Sequence, residues 1–92
     1  MRPLKDNEVY GVWHSEYDEY DLLLGLYKTL ESAKRELDKA SYSFVKTMKQ
    51  VNIFTSDFSE RINEYRVDDT NEHYSIEGVS TTYSIQIHEI EL

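Results

Sequence analysis

The chain has 92 residues, 39% of them hydrophobic and 30% charged, with 18 Asp and Glu against 10 Lys and Arg. That length supports one small domain, residues 1–92, with a single core layer, because so short a chain buries only roughly 60–65% of the surface its unfolded form exposes. No Cys is present, which excludes a disulfide scaffold, a thiolate zinc site and a cysteine nucleophile.

In chain order, Val9-Tyr10-Gly11-Val12-Trp13 is a β-branched and aromatic run. Alternation places Val9, Gly11 and Trp13 on one face and Tyr10, Val12 and His14 on the other, which predicts a first strand. An acidic segment, Ser15 to Asp21, separates it from Leu22-Leu23-Leu24-Gly25-Leu26-Tyr27. That continuous apolar run predicts a central strand buried on both sides, with Leu22, Leu24 and Leu26 toward a helix layer and an antiparallel hairpin to the first strand. Thr29 is a helix cap, with Glu31 in the first turn to complement the dipole. Apolar residues then recur at Leu30, Ala33, Leu37, Ala40, Phe44 and Met48, spaced 3, 4, 3, 4 and 4, which predicts one helix over 29–49 with a buried stripe. Residues 50–58, around Val51-Asn52-Ile53-Phe54, fit a strand or a packed loop equally well. Residues 60–67 read as an edge strand, 68–71 as a turn and 74–76 as a short strand. The closing run Thr81 to Ile90 is the clearest strand, with Tyr83, Ile85 and Ile87 on one face and a bulge expected near His88-Glu89. The predicted fold is α+β: a twisted, mostly antiparallel sheet of four to five strands with one long helix packed on one face.

The first 40 residues share a layout with a known group of domains. Val9-Tyr10-x-Val12-Trp13-His14, an acidic loop, Leu24-Gly25-Leu26-Tyr27 and Thr29-Leu30-Glu31-Ser32-Ala33 entering a helix carry the likeness, as does Ile85-x-Ile87-x-Glu89-Ile90 at the end. This resembles small uncharacterised bacterial and phage domains in which a strand ending in His precedes a "LIGVY-S-xx-EA" strand-to-helix junction. The resemblance implies a fold and a phage origin, and brings no activity with it.

Charge is distributed unevenly. Residues 1–50 sum to −1 and residues 51–92 to −7, within a formal net charge of −8 that disfavours DNA and anionic lipid alike. No apolar run reaches the ~18–20 residues needed to cross a bilayer, and the N-terminus lacks a signal-peptide stretch, so a cytoplasmic protein without membrane contact is expected. The histidines, His14, His73 and His88, fall at no ligand spacing, so neither a metal nor a cofactor is expected. His14 could pair with Glu16, Asp18 or Asp21, yet no GxSxG, Gly-rich phosphate loop or calcium loop accompanies it, and no enzymatic activity is expected.

Two surfaces remain as candidates. Tyr17, Asp18, Glu19, Tyr20 and Asp21 interleave rings with carboxylates, which suits contact with a basic host protein or imitation of a nucleic-acid backbone. On the helix, Arg35, Lys39, Lys46 and Lys49 fall within ~80° of one another with Tyr42 among them, opposite the apolar stripe, which suits an anion or a nucleic acid. The sequence therefore predicts a non-enzymatic protein-interaction module, a phage-encoded inhibitor or modulator of a host protein, acting through the acidic surface. The alternative is a nucleic-acid or nucleotide-binding accessory protein using the basic helix face. A helix segment 28–49 of +3 beside a remainder of −11, with an exposed edge strand around 60–67, also favours a two-fold homodimer or pairing with a partner.

Overall fold

The computed structural model describes residues 1–53 and 61–91. The elements are β1 (Glu8–Glu16), β2 (Tyr20–Tyr27), α1 (Leu30–Val45), β3 (Lys49–Gln50), β4 (Glu64–Asp69), β5 (His73–Glu77) and β6 (Thr81–Glu89). One helix packs on a six-stranded mixed sheet of order β2-β1-β6-β5-β4-β3, so the chain is α+β with more strands than the four to five expected. The first and last long strands pair along their whole length, from Glu8 opposite Glu89 to Glu16 opposite Thr81. Every pairing is antiparallel except that of β3 with β4.

The alternation of β1 and β6 decides where the core lies. Tyr10 and Val12 from β1, Tyr83 and Ile85 from β6, Ile76 from β5 and Tyr65 from β4 form one buried cluster with Ala33 and Leu37 of α1. Thr29 caps the helix, its Oγ1 accepting the Ser32 N–H at 3.2 Å. Ser41, also buried, satisfies its hydroxyl by donating to the Leu37 carbonyl at 2.8 Å.

Four expectations are corrected. The helix ends at Val45 rather than 49: Lys46 caps it, and tight turns bonding Thr47 to Phe44 and Met48 to Val45 carry the chain off the axis. Met48 still packs against the core from that turn, so the apolar period outlasts the helix. β2 is an edge strand, not a central one; Leu24 packs on the core while Leu22 and Leu26 are about half exposed, at 50% and 52%. Leu22, opposite His14, is on the helix face but at the margin of the sheet, whereas Leu26, opposite Gly11, is turned off that face by a bulge: Val12 faces Gly25 and Trp13 faces Leu23, so Leu24 is an extra residue and the strand changes face there. That bulge replaces the one expected near His88-Glu89, where β6 stays in register with β1. Finally, β4 is not an edge over its whole length, since β5 pairs with one side and β3 with two residues on the other. Of the ambiguous stretch 50–58, Gln50 belongs to β3, residues 51–53 are outside any strand, and 54–58 lie outside the described residues.

The chain's first residues are tied to the β4–β5 turn. Arg2 holds Glu8 through two hydrogen bonds of 2.8 and 2.7 Å, reaches Glu72 at 2.9 Å, and donates its backbone N–H to the Asn71 carbonyl at 2.9 Å. The Lys5 backbone N–H adds a third donor to Glu8 at 2.7 Å. These donors, Arg2 first, hold the Glu8 carboxyl down at about 2, against an ordinary 4.5.

Candidate functional site: an acidic groove at the end of the sheet

β1 runs on through Ser15 and Glu16, and β2 begins at Tyr20, so the acidic segment shrinks to a turn of Tyr17, Asp18 and Glu19. The Glu19 N–H donates to the Glu16 carbonyl at 3.1 Å, and Asp18 takes a left-handed φ of 58° to close the turn. Asp suits that position because it tolerates the left-handed region better than most residues. The turn is also anchored from the side: Tyr17 N–H donates to the Ser80 carbonyl at 2.8 Å, and the β5–β6 turn is closed by Gly78 N–H on the Thr81 carbonyl at 2.7 Å. Gly78 leaves room for the Phe44 ring at the end of α1, whose Cζ a Cβ there would approach to 2.6 Å.

Between the two turns lies an open groove of about 550 Å³. Residues 15–21 form one wall, and 77–80 with Thr82 form the other; no Lys, Arg or His is among them. Its five carboxylates are not equivalent. Glu77 is bound by Arg66 at 3.2 Å, and Glu16 accepts from Thr81 Oγ1 at 2.7 Å and contacts His14 Nε2 at 3.1 Å. Asp18, Glu19 and Asp21 have no ion-pair partner among the described residues and are exposed. Tyr17 is 76% exposed, whereas Tyr20, at 45%, sets its ring edge-on to His14 at 5.6 Å. His14 in turn stacks on Tyr83 at 4.3 Å. Burial first, then Glu16 and Tyr20, push the Tyr83 phenol above its ordinary range. The structure thus brings all five predicted acidic-surface residues to one groove, with Tyr17 outward and Tyr20 partly folded back.

The His14–Glu16 pair directs its imidazole at the carboxylate, and the Thr81 hydroxyl meets the same carboxylate. This is a positioning network that fixes the neck of the turn. Among the described residues no three His, Asp or Glu side chains gather as metal ligands would. His88 lies elsewhere, where Trp13 Nε1–H donates to its Nε2 at 2.9 Å and the rings stack at 5.5 Å.

Of the basic candidates, Arg35 and Lys39 lie on α1 with Tyr42, Lys46 is its C-terminal cap, and only Lys49 leaves the helix. Arg35 pairs with Glu31 at 3.1 Å, Lys46 lies 5.4 Å from the centre of the Tyr42 ring, and Lys39 is exposed. Lys49 is in β3 at the far side of the sheet order from β2 and is not on the helix at all, because the helix stops at Val45. The groove's second wall is not legible in the sequence. Only the pairing of the first strand with the last would have brought Ser80 and Thr82 beside Ser15 and Tyr17, and no local pattern encodes that.

No helix among the described residues is long and apolar enough to cross a membrane. Comparisons with models of known families, with characterised proteins and with solved structures find no match to this chain.

Proposed function

We propose that this chain is a non-enzymatic interaction module that engages a basic protein partner through the groove at the β1–β2 end of its sheet. The observation that carries the reading is the pairing of three unpaired carboxylates, Asp18, Glu19 and Asp21, with the exposed ring of Tyr17 on a turn hydrogen-bonded to the β5–β6 turn. A fixed, aromatic, anionic surface suits Lys- and Arg-bearing segments: the ring supplies contact area at low entropic cost, and the carboxylates speed encounter. A partner that normally binds nucleic acid fits the same chemistry, and with the phage resemblance this makes a modulator of a host nucleic-acid-binding protein the favoured form of the proposal.

The basic-helix alternative has less to rest on, since Arg35 already has Glu31 and Lys49 is displaced from the row. A photo-crosslinking residue at position 17, used in host lysate, tests the proposal. Capture of a basic protein, lost when Asp18→Asn, Glu19→Gln and Asp21→Asn are combined, is the expected result. Equal capture with and without those three substitutions would contradict it.

A further inference from the structure

β2 is the outermost strand on its side of the sheet, so one row of its backbone N–H and C=O groups faces away from β1 without a strand partner among the described residues. It is also apolar on both faces: Leu22, Leu23 and Leu26 are 50%, 42% and 52% exposed. Natural edges are usually blunted by charge, proline or brevity, and this one runs eight residues with a single charge, Asp21, near its start. We propose that β2 is the interface of a two-fold homodimer, pairing antiparallel with β2 of a second copy about a centre between Leu24 and Gly25.

The bulge supplies the register. A two-fold axis perpendicular to the sheet keeps the helix faces of both copies on the same side, so residues opposite each other across the new pairing must point to the same face. In a regular strand that condition forbids a centre lying between two residues. Here Tyr27 pairs with Tyr10, Gly25 with Val12 and Leu22 with His14, which places Tyr27, Gly25 and Leu22 on the helix face, and Leu24 packs there too. Leu26, opposite Gly11, Leu23, opposite Trp13, and Asp21, opposite Ser15, point to the other face. Because the face changes at Leu24, the strand becomes symmetric about that centre. Leu22 then meets Tyr27 of the second copy, Leu23 meets Leu26, and Asp21 meets Lys28, each pair on one face and occurring twice. Exposed leucines are thereby covered by apolar neighbours, and the two charges flanking the run meet opposite charges.

A second copy is favoured over a foreign strand because the complementarity lies wholly within this segment. This inference shares Asp21 with the acidic-groove reading, and the two are told apart by Leu23→Glu and Leu26→Lys, which change self-association and leave every groove carboxylate in place.

Light scattering on the full chain at physiological ionic strength, where repulsion between two chains of net charge −8 is screened beyond about 8 Å, is expected to give twice the 10.9 kDa monomer mass. Leu23→Glu and Leu26→Lys should each raise the dimer dissociation constant at least about tenfold. Combined in one chain they should restore the dimer, since each Glu then faces a Lys across the axis. Lys28→Asp, at an exposed position, should weaken the dimer as well, with rescue by Asp21→Lys. Circular dichroism identical to that of wild type shows that the variants remain folded. A monomer up to hundreds of micromolar, a dimer indifferent to the single substitutions, or a double variant as dissociated as the single ones would each overturn the proposal.

Discussion

At the scale of single residues, the geometry of the groove depends on Asp18 and its φ of 58°. Left-handed backbone costs an ordinary L-residue about 1–2 kcal/mol and glycine almost nothing. Asp18→Ala should therefore be less stable than Asp18→Gly by about 1 kcal/mol, read from urea midpoints, although both remove the same carboxylate. Gly11 has an equally local role, since a Cβ there would stand 2.6 Å from His88 Cδ2 and 2.9 Å from its Nε2, the atom that accepts the Trp13 hydrogen bond. Gly11→Ala should displace the imidazole, shift the emission of the single tryptophan and cost about 1 kcal/mol, the worth of the lost bond. Glu8 gives the molecule an acid limb. Its carboxyl titrates at about 2 when folded and near 4.5 otherwise, so the stability from its Arg2 and Lys5 contacts is present in full above about 4.5. It declines as the pH falls toward about 2, because there the unfolded chain takes up the proton first. Glu8→Gln should flatten the urea midpoint between pH 5 and about 2 relative to wild type, and an unchanged slope would contradict the pairing. None of these three roles was legible in the sequence, because each depends on a partner brought by a turn or a neighbouring strand.

At the scale of elements, α1 was the most legible part of the chain. Its cap at Thr29 and the buried Ala33 and Leu37 follow from side-chain spacing alone. Leu37→Ala should cost about 2–5 kcal/mol through the cavity it leaves, and Leu37→Asp should abolish the cooperative unfolding transition. Thr29→Ala should cost about 1 kcal/mol by freeing the Ser32 N–H. The helix end was not legible, because Met48 keeps the apolar period while the backbone has already turned away. β2 shows a different limit. A run of leucines reads as a strand buried on both sides, yet burial is a property of sheet order, and nothing within residues 22–27 states that no strand follows on the outer side. A single inserted residue, Leu24, reverses the faces expected for the residues after it, Leu26 among them, and leaves Leu22 and Leu23 on the faces expected. The closing strand was placed well because alternation of Tyr83, Ile85 and Ile87 is a local signal, and its partner strand was not, because pairing is a long-range one.

At the scale of the whole molecule, the sheet separates two chemistries that composition only hinted at. The −7 of the second half and the acidic segment near residue 18 are distant in sequence, but the β1–β6 pairing sets part of each around one groove, while the basic residues of α1 are partly matched by Glu31 or lie over Tyr42. The acidic residue set was therefore legible, and the groove was not, since its second wall is contributed by the β5–β6 turn. On the proposed function this groove, and not the helix, contacts a basic protein. Fluorescence polarisation of a labelled Lys- and Arg-rich peptide, competed against labelled single- and double-stranded oligonucleotides at physiological salt, distinguishes the two surfaces. The expected result is peptide binding that weakens with salt and with the combined Asp18→Asn, Glu19→Gln and Asp21→Asn substitutions, and no oligonucleotide binding. Micromolar or tighter oligonucleotide binding that disappears on neutralising Arg35, Lys39 and Lys46 would contradict it.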